Sequence, residues 1–171
     1  MSELRTIPRR DLPRAVEEIE HFTIPLDDGT HLAARRWQPV GAEQDPVAAA
    51  LEYLPYRKRD RTAYRDGLNH PYMAGHGYVR VRVDLRGSGD SEGVLTDEYL
   101  PRELDDGMQV LAWIAPQPWC DGRVGIIGKS WGASTACRWL RVARRRWARS
   151  CRCARPTTAS PTTCTPWVGA C

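Results

Sequence analysis

Gly128-Lys129-Ser130-Trp131-Gly132 follows directly on a run of mostly branched apolar residues, Arg123-Val124-Gly125-Ile126-Ile127-Gly128. That run is short and is preceded by turn chemistry at Cys120-Asp121-Gly122, so it reads as a buried strand. A serine flanked at two residues' distance by glycines, just past a strand, describes a sharp strand-to-helix bend that lifts the hydroxyl clear of a sheet. Side chains at the two glycine positions would collide with neighbouring backbone. The bend makes Ser130 a candidate nucleophile. It also puts the Trp131 backbone N–H at a helix start, facing charge that develops on a bound oxygen. Two nucleotide-binding readings fail on spacing. A phosphate loop ending in Gly128-Lys129-Ser130 needs glycine at 123, where Arg123 stands, and Gly87-Ser88-Gly89-Asp90-Ser91-Glu92-Gly93 misses G-x-G-x-x-G by one position.

The upstream chain predicts alternating strands and helices. Residues 1–20 read as a polar lead-in with a short helix near Ala15–Glu20. His21–Pro25 and His31–Trp37 read as a hairpin around Asp27-Asp28-Gly29-Thr30, at a sheet edge. Val47–Leu54 reads as a buried strand, and Tyr78–Asp84 as the clearest strand, with valines alternating with arginines. Pro101–Ala115 reads as a helix, with proline and acidic residues (Glu103, Asp105, Asp106) in its first turns and an apolar face of Leu104, Met108, Leu111 and Ala115. Strand, helix, strand in this order predicts a parallel sheet with crossover helices.

Charge divides the chain in two. Residues 1–131 carry 17 Lys+Arg against 21 Asp+Glu, whereas eight arginines and no Lys, Asp, Glu or His follow Trp131. Five of the six cysteines lie in that same tail. No apolar run reaches the ~20 residues of a membrane span, and Met1–Glu20 lacks an export-signal core, so the expected location is cytoplasmic.

Four segments in order resemble one family: Leu54-Pro55-Tyr56-Arg57-Lys58, Val83-Asp84-Leu85-Arg86-Gly87-Ser88-Gly89-Asp90-Ser91-Glu92-Gly93, Trp113-Ile114-Ala115-Pro116-Gln117-Pro118-Trp119-Cys120-Asp121-Gly122, and the bend at Ser130. From His21 to Gly132 the chain resembles the CocE/NonD hydrolases, the cocaine esterase and X-Pro dipeptidyl-peptidase-like α/β-hydrolases. The resemblance implies an incomplete, N-terminal part of an α/β-hydrolase fold: a mostly parallel sheet, crossover helices and a nucleophile elbow. It implies that Ser130 is acylated and that the Tyr56 hydroxyl joins the Trp131 N–H as an oxyanion donor. Asp84 and Arg86 are expected to shape the loop beneath the site without chemistry of their own. An ester, amide or short peptide is the implied substrate, with no metal or organic cofactor and neither nucleic acid nor membrane as partner.

The pattern breaks after the bend. In this fold the acid and then the histidine follow the serine, but His21, His31, His70 and His76 all precede Ser130. A lone histidine of this kind is first a structural or surface residue. The expected domains are a lead-in (1–20), a partial hydrolase domain (21–132) and an Arg/Cys-rich tail (133–171). Because Ser134–Leu140 shows no core-facing helical period, the tail reads as translation out of frame from about Ala133, and the chain as an inactive fragment. The rival reading is a non-enzymatic protein whose Arg138, Arg141, Arg144, Arg145, Arg146 and Arg149, interleaved with Trp139 and Trp147, bind nucleic acid. A zinc site in the tail is weakly signalled, since no C-x-x-C pair occurs.

Overall fold

Strand β2, Val16–Pro25, turns through Asp27–Thr30 into β3, His31–Pro39. Gly29 takes φ +82° in that turn, and the Thr30 N–H donates to Asp28 Oδ1 at 3.0 Å. Residues 15–20 are therefore not helical. Val16 and Glu18 are buried alternately with less buried neighbours, the two-residue period of a strand, and Glu18 pairs with Arg35 of β3. Residues 4–6, 12–60 and 62–139 are described in this computed structural model. A short strand β1, Leu4–Thr6, lies outside β2, so the hairpin sits one strand in from the edge.

Four elements continue the core: β4 Val47–Leu54, α1 Thr62–Gly75, β5 Val79–Asp84 and α2 Pro101–Ile114. They are followed by β6 Cys120–Ile126 and by a helix over residues 131–139, here α3. The six strands lie in the order β1-β2-β3-β5-β4-β6. Pairing is antiparallel from β1 through β3 to β5 and parallel only among β5, β4 and β6. The sheet is thus mixed rather than mostly parallel. A tight turn connects β2 to β3, while α1 and α2 supply the crossovers that parallel neighbours need.

Strand β5 divides the molecule. Val79, Val81 and Val83 enter the main apolar core with Leu51, Leu54, Val110, Ile114, Trp119 and Trp139. Arg80 and Arg82 point the other way, to His70 and Asp66 of α1. Two expectations need correction here. The buried face of α2 is Glu103, Asp106, Gly107, Val110 and Ile114, rotated by one residue from the expected Leu104, Met108, Leu111 and Ala115. Glu103 lies in the first turn as expected, where Oε2 accepts the Tyr99 N–H at 3.0 Å, and both Glu103 and Asp106 are inside because they also accept hydrogen bonds from Thr135 and Arg86. Strand β6 begins at Cys120, taking in the expected turn Cys120-Asp121-Gly122, and is the edge strand opposite β1 among the described residues, so Arg123, Gly125 and Ile127 are exposed rather than buried.

The stretch after Gly132 also departs from expectation. Thr135 and Trp139 lie one helical turn apart and are both buried. The Thr135 hydroxyl donates to Glu103 Oε1 at 2.9 Å, and the Trp139 ring stacks on Tyr53 at 5.5 Å. A Cβ on Gly107 would strike the Trp139 indole, so α2 and α3 touch where α2 lacks a side chain. A core-facing helical period therefore runs through 135–139. Trp139→Ala is expected to destabilise the protein by about 3 kcal/mol in urea unfolding. The figure sits at the low end for a buried tryptophan because the indole N–H finds no acceptor among the described residues. A loss under ~0.5 kcal/mol, the range of surface changes, would show that α3 is not part of the core. Expectations for residues 140–171, including Arg141 to Arg149, Trp147, Cys151, Cys153, Cys164 and Cys171, lie outside the described residues. Among the described residues, no helix is long and apolar enough to cross a membrane.

Candidate active site

The bend at Ser130 has the geometry its glycines require. Strand β6 ends at Ile126, the Ile127 N–H donates to the Leu51 carbonyl at 2.9 Å, and Ser130 adopts φ +58°. For a residue with a side chain this left-handed conformation costs about 1–3 kcal/mol, so surrounding contacts must hold it. A Cβ on Gly128 would lie 2.6 Å from Gly132 Cα, and one on Gly132 would lie 3.1 Å from Leu54 Cδ2. The Ser130 carbonyl accepts from the N–H groups of Ala133 and Ser134 at 3.0 and 3.1 Å, which starts α3. The Trp131 N–H belongs to the first turn of α3, whose amides have no carbonyl one turn earlier to bond. Its indole is fixed separately: Nε1 donates to Glu103 Oε1 at 3.0 Å, and the ring stacks on Tyr99 at 4.6 Å.

Tyr56 reaches the same point from the loop after β4. Its hydroxyl donates to Ser130 Oγ at 3.2 Å, and both side chains are open to solvent. The residues after β5 support that loop. Asp84 Oδ1 accepts from the Lys58 N–H at 2.7 Å, the Ser88 hydroxyl donates to the Pro55 carbonyl at 2.6 Å, and Asp90 pairs with the Lys58 ammonium. Arg86 grips Asp106 with two hydrogen bonds, at 2.7 and 2.8 Å, and lies 3.0 Å from Asp28, tying the loop to α2 and the hairpin turn. Asp84 and Arg86 touch framework groups rather than Ser130. Burial pushes the Asp84 carboxyl above its ordinary value, although Arg82 and Lys58 oppose it. Lys58, Ser88 and Asp90 carry no local sequence signal for this role, because their partners lie about thirty residues away along the chain.

None of the four histidines bonds Ser130. His31 meets Glu92 at 3.3 Å, and His76 bonds the Tyr72 carbonyl at 2.8 Å. His21 lies on β2 at its irregularity, with its pKa lowered by burial first and by Lys58 and Arg59 next. His70 is buried on α1. Arg80 Nε donates to its Nδ1 at 3.0 Å, which leaves the ring hydrogen on Nε2, 3.1 Å from Glu52 Oε2. Burial pushes His70 below its ordinary pKa despite Glu52.

Among the described residues, one group of side chains has metal-ligating chemistry. Ligand atoms of Glu52, Asp66 and His70 lie within 4.8 Å of one another. Arg65 already holds Glu52 at 2.9 Å and Asp66 at 2.6 Å, and Arg82 lies 3.3 Å from Asp66. A cation placed there would displace guanidinium groups that already balance both carboxylates.

Residues 28–146 match the X-Pro dipeptidyl-peptidase family, S15. The chain belongs to this family. One curated relative and two solved structures resemble it. Cocaine esterase of Rhodococcus sp. (strain MB1 Bresler) is 36% identical over 111 residues, covering 63% of this chain and 18% of the esterase. A CocE/NonD family hydrolase from Staphylococcus aureus superimposes with TM-score 0.67 at 21% identity, covering 82% of this chain and 28% of that one. An α-amino acid ester hydrolase superimposes with TM-score 0.55 at 25% identity, covering 77% and 24%. The described elements are thus part of an α/β-hydrolase fold within a family of esterases and peptidases. The S15 chain spans less than a third of the length of each of these relatives.

Proposed function

We propose that Ser130 is the acyl-accepting nucleophile of a serine hydrolase site acting on esters or amides, short peptides included. The carrying observation is the Ser130 hydroxyl, presented at φ +58° and 3.2 Å from the Tyr56 hydroxyl. Ser130 Oγ attacks the carbonyl carbon, and the displaced electron pair moves onto the carbonyl oxygen. The Tyr56 hydroxyl and the Trp131 N–H donate to that oxyanion, each such donor being worth about 3 kcal/mol of barrier. Collapse expels the alcohol or amine, which carries away the proton given up by Ser130, and leaves an acyl-Ser130 ester; water then hydrolyses this to the acid and returns a proton to Ser130 Oγ.

A serine hydroxyl needs a base to take its proton. No His, Asp or Glu occurs between residues 131 and 171, and no described histidine bonds Ser130. The 171-residue chain is therefore expected to hydrolyse p-nitrophenyl acetate little faster than its Ser130→Ala variant. Robust turnover that disappears in Ser130→Ala would refute the inactivity and would place a base among the upstream histidines.

A further inference from the structure

Tyr56 has little to hold its ring. The residue is over a third exposed, and among the described residues its one side-chain hydrogen bond is to Ser130. Its position must come from the backbone on either side. The Thr62 hydroxyl donates to the Arg57 carbonyl at 3.3 Å and lies 3.5 Å from the Tyr56 carbonyl, and the remaining anchors come from residues 84–90. Ser88 takes the Pro55 carbonyl at 2.6 Å, Asp84 takes the Lys58 N–H at 2.7 Å, and Asp90 takes the Lys58 ammonium. Between the anchors, Arg57 adopts φ +54°, a left-handed conformation that relaxes if its neighbours are released. The segment lies close against the loop: a Cβ on Gly89 would fall 2.8 Å from Asp84 Cγ and 3.3 Å from Arg57 Cγ.

Lys58 is the unusual member. Its side chain is completely buried, while the Asp90 carboxylate that meets it is 39% exposed. Withdrawing an ammonium from water for one partly solvated partner brings little net stability. What the pair does bring is a fixed end to the Tyr56 loop.

We propose that Lys58, clamped by Asp90 and Asp84, is the positioning residue that holds the Tyr56 hydroxyl against Ser130. The inference rests on the site proposed above, but it concerns placement and not turnover. It predicts that Tyr56 and Ser130 lose contact when the clamp is cut, although neither side chain has been altered.

The test follows the 13Cζ signal of Tyr56 in the full 171-residue chain, assigned by its disappearance in Tyr56→Phe. In the wild type, Ser130→Ala removes the acceptor and is expected to shift that signal. In Lys58→Met the same serine change is expected to cause no shift, and in Asp90→Asn a smaller one than in wild type. Asp90→Glu, which keeps the charge, is expected to restore most of the response. Lys58→Met risks unfolding through its buried site. Asp90→Asn alters a partly exposed group, so its result stands alone if Lys58→Met does not fold. A Ser130→Ala shift as large in Asp90→Asn as in wild type overturns the proposal, and so does the absence of any shift in wild type. Loss of the shift on cutting the clamp, in a chain whose Ser130 never accepts an acyl group, leaves the clamp standing and removes the catalytic reading alone.

Discussion

Asp66→Ala is expected to destabilise the protein by about 3–5 kcal/mol, because it strips a buried guanidinium of its main partner. Arg82 is fully buried, with Nε 3.3 Å from Asp66; its other carboxylates, Glu52 and Asp84, stand 3.9 and 3.8 Å away. Asp66 also accepts from Arg65, at 2.6 Å from Nη2, so a second cation loses a partner. Glu52 would remain to serve both. Burial pushes its carboxyl upward, but His70, Arg65 and Arg82 outweigh that and hold it below the ordinary value. Urea unfolding of the alanine variant measures the loss. The double replacement Asp66→Leu with Arg82→Met removes both charges and is expected to recover most of the stability, since apolar groups of similar size often replace buried pairs at no net cost. A loss below about 1 kcal/mol for Asp66→Ala, the level of an exposed pair, would mean that water reaches the network.

The same network explains which elements could be read from the sequence. The alternation Val79-Arg80-Val81-Arg82-Val83 displays strand β5 openly, and its valines are where that period puts them. What receives the arginines could not be read. Helix α1 presents Asp66, His70, Pro71 and Ala74 inward and leaves Tyr64, Leu68 and Tyr72 exposed, the reverse of an apolar stripe. Gly67 and Pro71 within it further obscure a helix. Its inward face is polar because the opposing strand is basic, and that pairing exists only after the chain has folded.

Helix α2 shows a milder form of the same effect. Its apolar period predicts the helix correctly but misplaces the buried face by one residue. Buried Glu103 takes hydrogen bonds from Trp131 and Thr135, which arrive from thirty residues further on. The bend at Ser130 is legible for the opposite reason: the steric demand on Gly128 and Gly132 is met within five residues. Tyr56 stands 74 residues from Ser130 in the chain, and only family resemblance singled it out. Its clamp, Lys58 with Asp84 and Asp90, left no trace that periodicity or spacing could reveal.

The second large effect concerns the donors at Ser130, which act even where no base assists the serine. An oxyanion site retains part of its rate enhancement when triad members are missing. Slow modification by a fluorophosphonate reports this directly, because the developing phosphoryl oxygen occupies the position of the oxyanion. Many other serine and tyrosine hydroxyls on the chain provide an internal reference. Losing one well-placed donor costs roughly 10²–10³ in rate, so Tyr56→Phe is expected to slow labelling of Ser130 by about two orders of magnitude and to leave the reference hydroxyls unchanged. The decisive measurement is the rate of phosphonylation of each hydroxyl in the 171-residue chain, mapped by peptide mass spectrometry. Labelling concentrated at Ser130 and suppressed by Tyr56→Phe is the predicted result. Labelling spread evenly over surface hydroxyls, or a Ser130 rate indifferent to Tyr56, would contradict the assignment of this bend as an acyl-transfer site.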